Sequence, residues 1–323
     1  MSTVPVFAAH DVEAAVSPER AVEVVRDAFV AYAREEWSMP SKVYVPAYPA
    51  GDFRAMPALG GGFALLKWVT SFPGNPDLGL PTVTGLVLVS DASNGMPVAV
   101  LDAGAVTALR TGAAAVLAAE TLGREDAESA AVIGAGVNGR AAARTFSARG
   151  RSVSIWDVDL DRAETVALEL GAEVAESRAA ALAADLVVTV TPGHEVVFPR
   201  GYLRPGQHAS LMGADGPGKA EIAVEELSRV RVFCDVWEQA SHNGDLVHAV
   251  EAGVVGREDV TQLGDVLAGN AAGRALADEI TVFDSTGLAI QDLAVGIEVV
   301  NRYREDADEG RFSNVQEIDL GQR

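Results

Sequence analysis

The feature that most restricts the fold of this chain is a glycine-rich turn, Gly134-Ala135-Gly136-Val137-Asn138-Gly139. Ala131-Val132-Ile133 reads as a buried strand leading into it, and a helical pattern begins at Asn138. Each glycine has a separate physical reason. Gly134 permits the tight turn, Gly136 lets the backbone approach a pyrophosphate, and Gly139 lets the helix pack on the sheet. The start of the helix offers unpaired N–H groups to phosphate. The second strand ends Ser154-Ile155-Trp156-Asp157, which puts Asp157 18 residues past Gly139. An acid at about this distance accepts hydrogen bonds from the adenosine ribose and repels a 2′-phosphate. The expected ligand is therefore a dinucleotide, NAD in preference to NADP. Arg162 is the nearby cation that argues the other way.

The pattern around the turn alternates strands with helices. Ala130 to Ile133, Ser152 to Trp156, Leu186 to Val190, His208 to Leu211, Val230 to Cys234 and Glu279 to Phe283 read as strands. Helical patterns lie over Ala105 to Glu120, Asn138 to Ala148 and Asp161 to Leu170. This is the signature of βαβ units, so the fold class is α/β with a central Rossmann-type, doubly wound parallel sheet. The region before Asp102 differs. Ser17-Pro18-Glu19 opens a helix that runs to about Glu35. Short strand-like pieces follow at Val43 to Val45, Phe63 to Val69, Thr82 to Val89 and Pro97 to Leu101, with Ser93-Asn94-Gly95 as a hairpin turn. With no long helix between them, these strands predict a mostly antiparallel sheet. A last helix is expected over Ala289 to Arg304, with a polar, mobile tail from Glu305.

Composition excludes several functions. The 323 residues carry a net charge of -21, which argues against nucleic acid and anionic membranes as partners. No apolar run is read as approaching the roughly 18 residues of a membrane span, and the N-terminus shows no signal-peptide pattern. A cytoplasmic location is expected. The single cysteine, Cys234, lies in an apolar segment and reads as a buried thiol. The five histidines, His10, His194, His208, His242 and His248, show no ligand spacing, so no metal site is expected. His194 follows Thr191-Pro192-Gly193, where it reads either as a neighbour of the nicotinamide or as a surface loop residue.

Only three of the 25 basic residues are lysines: Lys42, Lys67 and Lys219. A chain that uses arginine elsewhere has reason to keep an amine where its proton must be movable. Lys67 stands inside an apolar strand, Leu66-Lys67-Trp68-Val69, and Arg110 in an alanine-rich helix, so both charges need partners. Trp68 is expected to pack the core on the other strand face. Thr189 and Thr191 close a strand where such folds contact ribose or nicotinamide.

Seven stretches carry a resemblance: Arg54-Ala55-Met56-Pro57, Leu66-Lys67-Trp68-Val69, Gly79-Leu80-Pro81-Thr82, Leu109-Arg110-Thr111-Gly112, Ile133-Gly134-Ala135-Gly136, Asp215-Gly216-Pro217-Gly218-Lys219, and Asp284-Ser285-Thr286-Gly287 with Gln291-Asp292. In these the chain resembles the ornithine cyclodeaminase, mu-crystallin and archaeal-type alanine dehydrogenase family. The resemblance spans most of the chain in the family's order. It implies an α+β substrate-binding and dimerisation domain built from both chain ends, residues 1–112 and 288–323, around an NAD-binding domain at residues 113–287. It also implies a homodimer, and hydride transfer between NAD and the α-carbon of a small amino acid.

The residue roles follow from the matched motifs. Lys67 is the catalytic lysine and Asp215 the acid/base. Lys42, Arg54, Lys67 and Arg110 bind the substrate, with Arg110 on its carboxylate and touching the cofactor. Thr82, Met212, Lys219 and Ser285 line the cofactor. Arg54 separates the subgroups: the cyclodeaminases carry glutamate there, whereas arginine matches the alanine dehydrogenases. The expected reaction is oxidative deamination of L-alanine to pyruvate and ammonia. The rival readings are a cyclic ketimine (pyrroline- or piperideine-2-carboxylate) reductase, an ornithine cyclodeaminase, and a low-activity crystallin-like dinucleotide binder. A simpler reading of Arg54 is an ion pair with Asp52.

Overall fold

The computed structural model describes residues 3–193, 195–216, 218–306 and 312–321. In chain order the strands are β1 (Thr3–Phe7), β2 (Val43–Ala47), β3 (Gly51–Gly60), β4 (Phe63–Ser71), β5 (Val83–Asp91), β6 (Pro97–Asp102), β7 (Ala130–Ile133), β8 (Val153–Trp156), β9 (Glu173–Val174), β10 (Leu186–Thr189), β11 (His208–Leu211), β12 (Arg231–Cys234), β13 (Val260–Gln262), β14 (Thr281–Asp284) and β15 (Gln316–Asp319). The chain forms two compact units, one of Met1–Arg110 with Leu288–Arg323, the other of Thr111–Gly287. The architecture is mixed α/β.

The first unit holds a sheet of order β15-β1-β6-β5-β4-β3-β2. Every pairing in it is antiparallel except β1 with β6. Burial alternates along the strands. Arg54, Met56 and Ala58 of β3 face inward with Leu65, Lys67 and Val69 of β4 and Val87 and Val89 of β5. Period two puts one residue set on each face, so the other face carries Leu66, Trp68, Leu86 and Leu88. The helices Pro18–Ala33 and Ala289–Glu305 belong to the same unit, joined by Arg20, which donates to both carboxylate oxygens of Glu298 at 3.0 and 3.1 Å. Ser17 caps the first of these by accepting the Arg20 N–H at 3.2 Å.

Several features of this unit depart from the sequence-based expectation. The segment Gly51–Gly60, read as a motif, is a ten-residue strand. Pro57 disguised it, but it lies beyond Ala55, the last residue of β3 near Pro57 that pairs with β2, at a sheet edge where proline is tolerated. The tail expected to be mobile returns as β15, antiparallel to β1, with Phe312 edge-on to Phe7. Short polar strands of this kind have no periodicity to betray them. Trp68 lies on the outer face, 42% exposed and stacked on Phe53 at 5.6 Å, so it does not pack the core.

The second unit holds a sheet of order β13-β12-β14-β11-β10-β7-β8-β9, parallel throughout. From β7 the chain winds outward through β8 and β9, then returns to β10 on the other side. The carboxyl ends of β7 and β10 thus flank the point where the winding reverses, the place where open α/β sheets bind ligands. The core includes Ile133, Val187, Leu211, Val282 and Cys234. Burial pushes the Cys234 thiol upward in pKa, which makes it inert.

The helix Ala103–Leu122 corrects one reading. It is long and apolar enough to cross a membrane by length and composition, although 78% of its apolar window is buried inside the protein. Arg110 and Glu120 had divided it into shorter apolar runs, whereas its many alanines keep the average high. A helix apolar on all sides is also what a protein core produces.

Replacing Ser17 by Ala removes the cap of the first long helix. Stability is expected to fall by about 1 kcal/mol, read as a lower denaturation midpoint in urea.

Candidate active site

In the first unit, two buried cations meet on one carboxylate. Lys67, 1% exposed, donates from Nζ to Thr107 Oγ1 at 2.6 Å and to Asp292 Oδ1 at 2.9 Å. Arg110 Nε reaches the same Asp292 Oδ1 at 3.3 Å. Thr107 donates in turn to the Ala103 carbonyl at 2.5 Å, so its oxygen meets Lys67 as an acceptor. Thr107 and Arg110 share one face of the helix Ala103–Leu122 by their three-residue spacing. Asp292 lies in the first turn of the helix Ala289–Glu305, where the helix dipole favours a negative charge.

The Lys67 amine is pulled down to about 8. Burial is the largest cause; the Asp292 charge opposes it, and Arg110 and Arg54 add to it. An amine in this range carries or releases a proton near neutrality.

Arg54 faces inward on β3, two residues from Met56, the cross-strand partner of Lys67. Its guanidinium forks onto Asp52, with Nε to Oδ1 at 2.6 Å and Nη2 to Oδ2 at 3.3 Å, and lies over the Tyr44 ring at 5.3 Å. The simpler reading of Arg54 as the ion-pair partner of Asp52 is therefore present in the structure. Lys42 lies half-buried ahead of β2, and Thr82 half-buried ahead of β5, where its carbonyl accepts the Phe72 N–H at 2.8 Å.

In the second unit, the glycine turn has the geometry its sequence demands. Gly134 has φ of +101° and lies against the end of β10, where a Cβ would meet the Val190 carbonyl at 2.5 Å. A Cβ on Gly139 would come within 1.7 Å of the Gly134 carbonyl. Gly136 is different. A Cβ there would meet no atom of the chain within 4 Å, and its φ of -70° suits any residue. Nothing in the protein requires glycine at 136, and the space beside it is open. Gly136 is also the N-cap of the helix Val137–Ala148 and supplies no side-chain cap, which leaves the first N–H groups for an anion. These residues fit a dinucleotide pyrophosphate.

Asp157 is buried at the end of β8 and accepts from Ala135 N at 2.6 Å and Asp159 N at 2.9 Å. Arg162 is 3.8 Å from Asp157 and 3.2 Å from Asp159. Val137 is exposed and Asn138 half-buried at the start of the helix.

The loops after β10 and β11 are tied by a residue that the sequence reading missed. Glu221, fully buried, accepts from Thr189 Oγ1 at 2.8 Å, Thr191 Oγ1 at 2.7 Å, Thr191 N at 2.9 Å and Gly213 N at 2.8 Å. The hydroxyls of Thr189 and Thr191 are thus given to Glu221. Asp245 accepts the backbone N–H groups of Glu221 and Ile222; burial, then the neighbouring Glu221, push it up to about 8. Met212 is buried with its N–H on Thr189 O. In the following loop Asp215 pairs with Lys219 at 2.6 Å. Pro217 of that motif and His194 lie outside the described residues. Ser285, Thr286 and Gly287 after β14 are gathered by Asp235, at 3.3 Å from the Ser285 hydroxyl and 2.7 and 3.0 Å from the two N–H groups. Glu221, Asp235 and Asp245 carry no periodicity that marks them in sequence. Asp292 stood in a quoted motif without a role.

A parallel sheet with a dinucleotide turn, and an antiparallel sheet carrying a buried lysine, define an α/β protein built for cofactor-dependent chemistry. The chain belongs to the ornithine cyclodeaminase/mu-crystallin family, whose model matches residues 4–307. It is 42% identical over 297 residues to the alanine dehydrogenase of Archaeoglobus fulgidus, covering 88% of this chain and 90% of that one. Among solved structures it is similar to an archaeal alanine dehydrogenase dimer with bound NAD, at TM-score 0.91 and 37% identity over 99% of this chain and all of that one. It is also similar to the iminosuccinate reductase of Paracoccus denitrificans in complex with NAD+, at TM-score 0.88 and 27% identity over 99% and 100%.

The two glycines predict opposite outcomes. Gly139→Ala forces a backbone clash and should cost about 1–3 kcal/mol, read as a lower thermal midpoint. Gly136→Ala should leave the ligand-free midpoint unchanged to within about 0.5 kcal/mol yet lose the stabilisation that added dinucleotide gives.

Proposed function

We propose that this chain is an NAD-dependent oxidoreductase of small amino acids, converting L-alanine, NAD+ and water to pyruvate, ammonia and NADH. The observation that carries this reading is the buried charge on the inner face of the first unit. Lys67 and Arg110 bring two positive charges to one carboxylate, Asp292, and leave a net positive charge for a single substrate carboxylate. Arg54 is neutralised by Asp52 and adds little to that balance. A monocarboxylate with a small side chain suits this better than a diamine or a diacid. The identity to the Archaeoglobus alanine dehydrogenase supports the same choice.

In this reading Arg110 holds the substrate carboxylate, as its planar fork is suited to do. The dinucleotide, when bound, would supply the acceptor for the α-hydrogen as hydride. Lys67 places its ammonium on the imine nitrogen or oxo oxygen at C2, where negative charge develops. Asp215 takes the proton of the water that attacks the imine carbon. The glycine turn, the helix Val137–Ala148 and Asp157 would hold the cofactor, and Asp157 would favour NAD over NADP. Thr82, Met212, Lys219 and Ser285 would be its further contacts. Thr189 and Thr191 shape the site through their tie to Glu221. Lys42 and Arg54 face the substrate's side chain.

The outer sheet face supports a proposal for the assembly. Val45, Leu66, Trp68, Leu86 and Leu88 are all at least 38% exposed, an apolar patch of a kind that marks an interface. A second copy of the chain is its proposed partner, and the similar archaeal alanine dehydrogenase is itself a dimer. Nucleic acid and membranes are not proposed as partners, and the cytoplasm remains the proposed location.

Arg54 favours one second reading, reduction of an imino diacid as in the Paracoccus enzyme. It requires Arg54 to leave Asp52 for the second carboxylate. NADH oxidation with ammonia and pyruvate, set beside ammonia and oxaloacetate, separates the two. The alanine reading expects a higher kcat/KM for pyruvate, and the reverse order overturns it.

Lys67→Ala should lower kcat at least about 100-fold while the Kd for NAD is unchanged. At constant free ammonia, kcat/KM for pyruvate should fall as pH rises through about 8, because the Lys67 ammonium is lost there. Leu86→Glu should convert a dimer to monomers in sedimentation equilibrium.

A further inference from the structure

We propose that Asp292 is a positioning residue for this reaction, joining Lys67 to Arg110 and holding the lysine as an ammonium ready for substrate. The proposal rests on the assignment of Lys67 made above. Two cations converge on Asp292 Oδ1, Lys67 at 2.9 Å and Arg110 at 3.3 Å. Each disfavours the charge of the other, and so does Arg54, itself held by Asp52. Thr107 orients the amine but is neutral, and its own proton goes to Ala103. Of the groups described around Lys67, Asp292 is the one whose charge favours the ammonium.

The remaining oxygen, Asp292 Oδ2, is buried without a hydrogen-bond partner. A carboxylate serving packing alone has no need of this arrangement, because an amide of the same shape would accept the same two bonds on one oxygen. What the amide lacks is charge. Asp292→Asn is therefore the informative substitution: it keeps the shape and removes the one charge that opposes desolvation of the amine.

The scarcity of lysine makes the effect measurable directly. With 13C-labelled lysine only three side-chain Cε signals arise, and Lys42→Arg and Lys219→Arg identify that of Lys67 by subtraction. In the wild-type chain the Lys67 signal should titrate near 8. In Asp292→Asn its midpoint should move down by at least about one pH unit, and the alkaline limb of kcat/KM for pyruvate should move with it. Asp292→Glu, which keeps the charge, should return the midpoint to within about half a pH unit of the wild-type value. An unmoved Lys67 titration in folded Asp292→Asn overturns the proposal.

Should Asp292→Asn fail to fold, Asp292→Glu decides. It should lower kcat/KM about tenfold at a nearly unchanged midpoint, and wild-type kcat/KM would overturn the role. Full pyruvate turnover by Lys67→Arg would remove the underlying assignment of Lys67 instead. An inactive Lys67→Arg beside an unmoved titration in Asp292→Asn overturns only the role of Asp292.

Discussion

The buried charge of Lys67 is the interaction on which the first unit depends. An amine at 1% exposure is costly unless a carboxylate meets it. Asp292, 225 residues further along the chain, meets it from the helix Ala289–Glu305. The carboxyl-terminal helix is thereby committed to the sheet formed by the start of the chain, and Arg110 shares the same oxygen. Removing either partner leaves a buried charge behind, so the pair specifies the closure of the unit.

The second unit depends on a comparable use of buried acid. Glu221 draws together the ends of β10 and β11 through Thr189, Thr191 and Gly213, and Asp235 does the same for the segment after β14. Loops at the carboxyl ends of parallel strands have many N–H groups and few regular partners. A buried carboxylate accepts several of them and fixes the loop shape. Asp245 lies behind Glu221, and its rise to about 8 reflects burial first and the neighbouring acid second. The loop that carries Asp215 and Lys219 follows Gly213 directly, so its starting position is set by Glu221.

Much of this was legible residue by residue. The glycine turn, β7 and β11 were placed to the residue because a buried parallel strand reads as a short apolar run bounded by turn residues. Lys67 stood out because a lysine in an apolar strand has few structural explanations. The cap at Ser17 was legible from local chemistry alone. What escaped were elements without local signature: β3, interrupted by Pro57, and β15, whose residues are exposed throughout. The alanine-rich helix Ala103–Leu122 was read as shorter in apolar character than it is, because two charges interrupt it.

The sequence by itself determined the parallel sheet, the dinucleotide turn and which side chains needed partners, because period, glycine placement and an isolated amine are local facts. Only the tertiary structure decided who those partners are. Asp292 for Lys67 and Arg110, Asp52 for Arg54, and Glu221 for the two threonines are choices made by packing. A buried charge states a requirement in one dimension, and only the three-dimensional path of the chain brings the group that satisfies it within 3 Å.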